Sequence, residues 1–125
     1  MRQPRSELSE RVIGMAIDVH RHLGPGLLES AYEACLCFEL DQARVPFRRQ
    51  VNLPVVYKEV RLDCGYKMDV VVDDVLIIEL KAVERLLPIH EAQMLTYLRL
   101  SGIGVGLLMN FNETVLKNGL RRLTY

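Results

Sequence analysis

Residues 67–81, KMDVVVDDVLIIELK, constrain the fold more than any other part of the chain. Side chains alternate between the two faces of a strand, so that every second residue shares a face. From residue 70 onward, the even positions on both sides of the central pair Asp73-Asp74 are apolar. They are Val70, Val72, Leu76, Ile78 and Leu80. The odd positions are apolar near the middle, whereas Asp69, Glu79 and Lys81 stand at the ends. The pattern predicts a β-hairpin with one apolar face and one face that is charged at its open end.

The connection between these two strands decides whether the charged groups share a face. A three-residue connection over residues 73–75 places Val72 opposite Leu76 and Asp69 opposite Glu79. A two-residue turn shifts the pairing by one residue and places the two carboxylates on opposite faces. Chemistry at the open end therefore requires a connection of odd length or a bulge.

The three charged residues at the open end have the composition of a metal-dependent hydrolytic site. Two carboxylates opposite each other repel unless a cation lies between them, and oxygen ligands suit Mg²⁺ or Mn²⁺. Lys81 lies on the same face as Glu79, where it can orient a metal-bound water or stabilise charge on a phosphate. This combination is typical of phosphodiester hydrolysis. The alternative is a surface hairpin that ends in a solvated Glu–Lys pair.

The other elements follow from apolar periodicity and from turn residues. Helices are predicted over residues 7–23, 27–42 and 88–100, and strands over residues 47–57, 60–64, 66–72, 75–82 and 103–109. Residues 120–125 form a candidate last strand, and Pro54 favours an edge position for the first one. The order α-α-β-β-β-β-α-β predicts an α/β fold in which helices pack on the faces of a mixed β-sheet.

Two of these helices carry polar residues that would complete a site. On the helix that begins at Pro88, Gln93 and Tyr97 are four residues apart and therefore point the same way, as does His90. An ordinary amphipathic helix explains the same spacing. On the second helix, Glu29 and Tyr32 share a side. A carboxylate in a first turn is also favoured by the helix dipole alone.

Charge and cysteine content limit the class of protein. The chain has 125 residues, which suits a single domain over residues 1–125. Sixteen basic and sixteen acidic residues balance, which argues against a protein that coats nucleic acid non-specifically but not against an enzyme. Three cysteines form neither a zinc-binding spacing nor a complete disulfide framework, so we expect reduced, mostly buried thiols. The sequence shows neither a membrane span nor a signal peptide, so we expect a cytoplasmic protein.

The stretch Gly26-x-x-Glu29-x-x-Tyr32 resembles the name-giving motif of the GxxExxY proteins, which are small prokaryotic members of the PD-(D/E)XK nuclease superfamily. The resemblance runs over residues 12–122. Its matching blocks are residues 20–29, 66–69, 78–83, 90–93, 97–98 and 106–111. Together these blocks are specific, although each one alone is weak.

The resemblance implies a restriction-endonuclease-like fold and a role for each matching residue. Asp69 and Glu79 would be metal ligands together with the backbone carbonyl of Leu80, and Lys81 would be the catalytic lysine. Three further residues would be catalytic: Glu29 as the helix-borne acid, and Gln93 and Tyr97 as the Gln-x-x-x-Tyr element of an exonuclease-like branch. Met68 stands where the superfamily motif has its proline, a position at which that proline is often replaced.

These observations predict a Mg²⁺-dependent nuclease that acts on DNA or RNA, with Mn²⁺ as an alternative ion. A catalytically inactive nuclease fold that serves as a binding module remains the alternative, since the balanced charge gives no independent sign of a nucleic-acid partner. Hydrolysis of a smaller phosphate ester is a third possibility. A homodimer is plausible because 125 residues offer little surface for gripping a duplex.

Overall fold

A computed structural model describes residues 5–125, with side chains from residue 7 onward. The residues before these, on which the expectation of no signal peptide partly rests, lie outside the described part. The helices are α1 (Arg5–Leu23), α2 (Glu29–Gln42) and α3 (Pro88–Ser101), with a short 3-10 helix at Leu116–Gly119. The strands are β1 (Phe47–Asn52), β2 (Val55–Tyr57), β3 (Val60–Leu62), β4 (Lys67–Val72), β5 (Leu76–Lys81), β6 (Val105–Asn110) and β7 (Leu120–Thr124).

Five of the strands form one mixed sheet in the order β1-β4-β5-β6-β7. β5 and β6 are parallel because α3 carries the chain back across the sheet between them, and the other neighbours are antiparallel. β2 and β3 form a separate two-stranded hairpin. The predicted α/β class with a mixed sheet is confirmed.

Helices cover both faces of this sheet, and each face has its own apolar core. The first core joins α1 and α2 to the predicted even face of the hairpin, including Val70, Ile78 and Leu80. The second core joins α3 to the other face through Val71 and Ile77. Both central strands are therefore buried on two sides, which explains why they read as nearly continuous apolar runs.

The central hairpin has a three-residue connection, which is the odd length required for Asp69 and Glu79 to share a face. Val72 pairs with Leu76, and residues 73–75 join the strands. Asp73 and Asp74 both adopt positive φ, at 49° and 55°, and the N–H of Val75 donates to the carbonyl of Val72 at 3.1 Å. This is a two-residue turn of the type whose twist suits a hairpin, followed by one additional residue. The additional residue keeps Asp69 and Glu79 in opposed positions.

The predicted strand over residues 47–57 is wrong in extent, because it is two strands. β1 belongs to the main sheet and occupies its edge, whereas β2 pairs with β3. The break falls at Pro54, which has no N–H to donate to a ladder, directly after Leu53 donates its N–H to the carbonyl of Tyr66 at 2.8 Å. Five strands therefore precede α3 instead of four.

The second helix begins two residues later than predicted, at Glu29. The apolar residues Leu27, Leu28 and Phe38 are expected from the helical pattern to lie on its buried side, but all three are exposed. Leu28 is extended, with φ −70° and ψ 151°, and it is 77% exposed. The preceding loop has positive φ at Gly24 and Gly26, and it keeps the chain out of the helix until Glu29.

The described residues contain free cysteines at three positions: Cys35, Cys37 and Cys64. Only Cys37 is fully buried, and burial raises the pKa of its thiol to about 11. Cys64 is exposed, contrary to the expectation of mostly buried thiols. None of the helices described here combines the length and hydrophobicity that crossing a bilayer demands.

Candidate active site

Asp69 and Glu79 form a reciprocal contact at the open end of the hairpin. The N–H of Asp69 donates to Oε2 of Glu79 at 2.7 Å, and the N–H of Leu80 donates to Oδ2 of Asp69 at 3.0 Å. Each carboxylate thus accepts a hydrogen bond from a backbone N–H of the opposite strand. It occupies the position that a backbone carbonyl has in a regular pair of β-strands. The two contacts bring two acidic groups together in one small area, with the second oxygen of each carboxylate outside this reciprocal pair.

Burial controls the charge of Glu79 in this pair. Glu79 is only 4% exposed, and burial, followed by the negative charge of Asp69, raises the pKa of Glu79 to about 8. The N–H of Asp69 and the ammonium of Lys81 act in the opposite direction. A cation between the two carboxylates would oppose both of the main causes, since it favours the ionised form. The pair therefore has the electrostatic properties of a cation site.

Lys81 is the last residue of β5 and is partly buried. Its backbone is held by β6, because it pairs with Asn110 and its carbonyl accepts the N–H of Phe111 at 2.8 Å. One residue, Leu80, separates it from Glu79 along the strand, so both side chains project from the face that α3 covers. It lines the cavity beside that helix.

Gln93 and Tyr97 lie on α3 as predicted, and they contact each other. Nε2 of Gln93 donates to the Tyr97 hydroxyl at 3.2 Å. Burial raises the pKa of Tyr97, and the nearby charges of Glu79 and Asp69 raise it further. The phenol therefore stays protonated, and because its oxygen accepts from Gln93, it can donate its own proton to another group. The structure brings Tyr97 into the electrostatic field of the carboxylate pair.

Tyr32 in the Gly-x-x-Glu-x-x-Tyr stretch has a structural role. It is fully buried, and its ring stacks on Phe111 with 4.5 Å between centroids. Its hydroxyl donates to the carbonyl of Gly24 at 2.6 Å and accepts from the N–H of Leu27 at 3.1 Å. These bonds fix the loop that leads into α2. Glu29 stands exposed at the first position of that helix.

A second acid on α2, Glu33, was missed in the sequence. It lies one turn beyond Glu29 on the same side, and it is only 7% exposed. Its Oε2 accepts from Nη2 of Arg49 at 2.9 Å, and its Oε1 accepts from Nε2 of Gln50 at 2.8 Å. The same Gln50 nitrogen lies 3.5 Å from Oδ1 of Asp69. A hydrogen-bonded chain therefore links α2 to the carboxylate pair through Glu33, and Glu29 stands one turn away.

Gln50 reaches this position because β1 changes face there. Its φ is +49°, a conformation that side chains other than glycine seldom adopt. Arg49 before it points to Glu33 and α2, whereas Val51 after it packs with the core under α3. Met68, the partner of Val51 on β4, joins the same core. A strained residue beside an acidic pair is a common mark of a functional site.

The donor chemistry of the pair fits a hard divalent cation. Among residues 5–125, no group of three His, Cys, Asp or Glu side chains stands close enough to hold an ion by itself. Mg²⁺ does not need such a cage, since it usually binds through one or two carboxylates and completes its shell with water and substrate phosphate. Asp69 and Glu79 supply two carboxylates, and Leu80 between Glu79 and Lys81 offers a backbone carbonyl. These residues fit Mg²⁺ or Mn²⁺ better than a closed structural site.

Neither the curated proteins nor the solved structures include a significant match to the chain. The PD-(D/E)XK nuclease superfamily, in contrast, matches residues 6–123. The five-stranded mixed sheet with helices on both faces is its restriction-endonuclease-like fold. The match spans all of the elements from α1 to β7 except the outermost residues. The chain therefore belongs to the PD-(D/E)XK nuclease superfamily.

Proposed function

We propose that the protein is a metal-dependent nuclease that hydrolyses phosphodiester bonds in DNA or RNA, with Mg²⁺ or Mn²⁺ held by Asp69, Glu79 and the carbonyl of Leu80. The observation that carries this proposal is the reciprocal contact of Asp69 and Glu79 with Lys81 two residues further along β5. The pattern Asp…Glu-x-Lys is the arrangement from which the superfamily takes its name, and the superfamily match supports the reading.

Each residue around the pair has a role that its position supports. When bound, the metal supplies an activated water and a positive charge at the phosphate. Lys81 holds a positive charge on the same face, where it stabilises negative charge that develops on the phosphate oxygens. The hydroxyl of Tyr97 donates a hydrogen bond to a phosphate oxygen and keeps its proton, and Gln93 orients that phenol through the 3.2 Å bond.

The finer assignment is to the GxxExxY branch of the superfamily. Gly26, Glu29 and Tyr32 match its motif. The buried position of Tyr32, whose hydroxyl donates to the carbonyl of Gly24, gives the tyrosine of the motif a structural role. In this assignment Glu29 is the helix-borne acid. Glu33 is the stronger candidate for contact with the metal site, since Gln50 joins it to Asp69. We propose that residues 1–125 form one cytoplasmic domain that acts alone or as a homodimer.

The proposal is tested by cleavage of plasmid, linear duplex, single-stranded DNA and RNA with Mg²⁺, Mn²⁺ or a chelator. Lys81→Ala is expected to lower the rate by about 10²–10³-fold, the usual effect of removing one group that stabilises developing charge. Lys117→Ala is the matched control, because Lys117 is exposed on the short 3-10 helix that packs with α1. Equal cleavage by the wild-type protein and Lys81→Ala would mean that the activity has another source.

An inactive nuclease fold that serves as a binding module makes a different prediction for the metal. Calorimetric titration with Mn²⁺ distinguishes the two functions, because the nuclease requires binding that Asp69→Ala abolishes. If Mn²⁺ fails to bind to the wild-type protein, the module is favoured and the nuclease is rejected.

A further inference from the structure

A cavity of about 650 Å³ opens beside Lys81, Gln93 and Tyr97. Its volume lies in the range of pockets that hold small ligands, roughly 300–1,000 Å³. α3 forms one wall, and β2 with Tyr66 forms the opposite one. The proposed phosphodiester chemistry uses the part of the cavity where Lys81, Gln93 and Tyr97 lie, so the remaining space beside β2 and Tyr66 has no assigned role.

The walls of this cavity suit a flat, mostly apolar group. Val55, Val56 and Ile89 supply apolar surface, and Val56 and Ile89 are more than half exposed toward it or the solvent. The ring of Tyr66 is 48% exposed and meets Tyr97 edge-on, with 6.3 Å between centroids. An edge-on contact covers at most one face of the Tyr66 ring, and because the ring lines the cavity, its other face can serve for stacking. Aromatic rings of this kind are the platforms on which unpaired nucleobases stack.

Polar groups at the cavity suit the edge of such a ring system. Thr96 on α3 provides a hydroxyl, which is both donor and acceptor. Nδ1 of His90 accepts the N–H of Leu87 at 2.9 Å, so the neutral imidazole carries its proton on Nε2 as a donor. A few hydrogen-bonding groups among apolar walls are what fixes the orientation of a ligand in a pocket.

The distribution of charge argues against gripping a duplex. A protein that binds double-stranded DNA neutralises many phosphates with Lys and Arg, whereas here sixteen basic residues are balanced by sixteen acidic ones. Lys81 and Arg99 are the basic residues that line the cavity. Two positive charges suffice for the phosphates of one or two nucleotides. The remaining affinity then has to come from stacking, which a base inside a duplex cannot offer.

We propose that this cavity, the base pocket, binds one unpaired nucleobase while the adjoining phosphate lies at Lys81, so that the substrate is a single strand or an unpaired strand end. The inference rests on the proposed nuclease function, of which it names the substrate class. A base in the pocket stacks on Tyr66, and its edge lies near Thr96 and His90. A paired base has to leave its stack to enter, which costs free energy and disfavours an intact duplex.

Binding is measured by fluorescence anisotropy with a fluorescein-labelled oligothymidylate and with a blunt hairpin duplex of similar length. Ca²⁺ replaces Mg²⁺, and a gel confirms that the probe stays intact. The single strand is expected to bind at least about tenfold more tightly than the duplex. Tyr66→Ala is expected to weaken single-strand binding by about 5- to 150-fold, the usual effect of losing one stacking ring, whereas Tyr66→Phe retains it.

Tyr57→Ala is the matched control, because Tyr57 is also an exposed tyrosine of the same region but does not line the pocket. Thermal melting of each variant checks that it is folded. Equal affinity for the two probes, binding of neither, or equal effects of Tyr66→Ala and Tyr57→Ala would overturn the base pocket. If thymidine monophosphate competes as strongly as the oligonucleotide, the pocket binds free nucleotides, and the proposal of a single-stranded substrate is rejected.

The base pocket and the nuclease fail independently. If the single strand binds through Tyr66 but no substrate is cut, the pocket stands and the nuclease is rejected. If duplex and single strand are cut and bound equally well, the nuclease stands and the pocket is rejected.

Discussion

The N–H of Asp69 donates to the carboxylate of Glu79 at 2.7 Å, so an acidic side chain takes the place of a backbone acceptor between two strands. Glu79 is buried by this arrangement and has its pKa raised to about 8. A buried carboxyl that keeps its proton near neutral pH couples metal binding, folding and pH to one another.

The first prediction concerns the stability of the metal-free protein. Between the ordinary glutamate pKa of 4.5 and about 8, the folded chain keeps the proton of Glu79, whereas the unfolded chain releases it. The contribution of Glu79 to the stability of the folded chain is therefore complete at low pH and is lost as the pH rises from 4.5 to about 8. Within that range the unfolding constant increases by up to about tenfold per pH unit. Urea denaturation of the metal-free protein at several pH values measures this slope. Above about pH 8 the contribution of Glu79 to the slope should vanish.

The first prediction extends to metal binding, which should show the opposite dependence on pH. A cation competes with the proton on Glu79, so the affinity for Mn²⁺ is expected to rise as the pH increases to about 8 and then to level off. Below about pH 7, calorimetry in buffers of different ionisation enthalpy should detect the release of about one proton per ion. Affinity that is constant from about pH 6 to pH 8 would contradict this assignment of the proton.

The second prediction is that Glu79→Gln separates stability from metal binding. Glutamine retains an acceptor for the N–H of Asp69 but never becomes charged. The variant should match the wild-type protein near pH 6 and exceed its stability near pH 9, where the buried charge of Glu79 is unfavourable. Its melting temperature should no longer respond to Mn²⁺. Glu84→Gln, at an exposed position, is the control and should keep the response. A Glu79→Gln protein that Mn²⁺ still stabilises would exclude this residue as a ligand.

The third prediction concerns Gln50 as a positioning residue. Gln50→Gly removes the amide between Glu33 and Asp69 while leaving a residue that tolerates positive φ. Mn²⁺ affinity is expected to fall by about tenfold or more, as when other supporting contacts of metal ligands are removed. Lys58→Gly is the control, since Lys58 has a similar φ of 48° in the β2–β3 turn. Unchanged affinity in Gln50→Gly, measured by calorimetry, would make its link to Asp69 incidental.

The hairpin and its acidic pair could be predicted from the sequence because the information is local. Strand alternation sorted Asp69, Glu79 and Lys81 onto one face, and the parity of the connection required the extra residue that Val75 supplies. The even positions of both strands predicted the apolar face that packs on the first core. Such signals depend on residues that are adjacent in the chain, so they survive without a structure.

The contribution of Glu33 could not be predicted because it depends on distant residues. Its partners Arg49 and Gln50 lie on β1, and nothing local to α2 points toward them. The positive φ of Gln50 is equally hidden, since glutamine carries no sequence signal for it. The only hint was an acid placed between the apolar residues Tyr32 and Leu36, where a buried charge needs a partner.

The fourth prediction concerns the packing that seats α3 beside the carboxylate pair. Gly106 on β6 lets the helix approach so closely that an added Cβ would lie 2.4 Å from Sδ of Met94. Met94 is buried and lies one turn before Tyr97, so an added methyl group requires either that the Met94 side chain repacks or that the helix carrying the phenol shifts. Gly106→Ala should therefore cost about 1–3 kcal/mol of unfolding free energy and lower the cleavage rate as well.

Two further variants distinguish this steric effect from a general effect of alanine. Gly14→Ala lies in α1, where an added Cβ meets nothing within 4 Å, so it should stabilise the protein by about 0.5–1 kcal/mol. In Gly106→Ala combined with Met94→Ala, the new methyl group fills part of the space that Met94 leaves. The double variant should therefore lose less stability than the sum of the single losses, which urea denaturation measures. Strictly additive losses would show that Gly106 and Met94 do not constrain each other. The position of α3 on the sheet would then have to depend on other contacts of the second core.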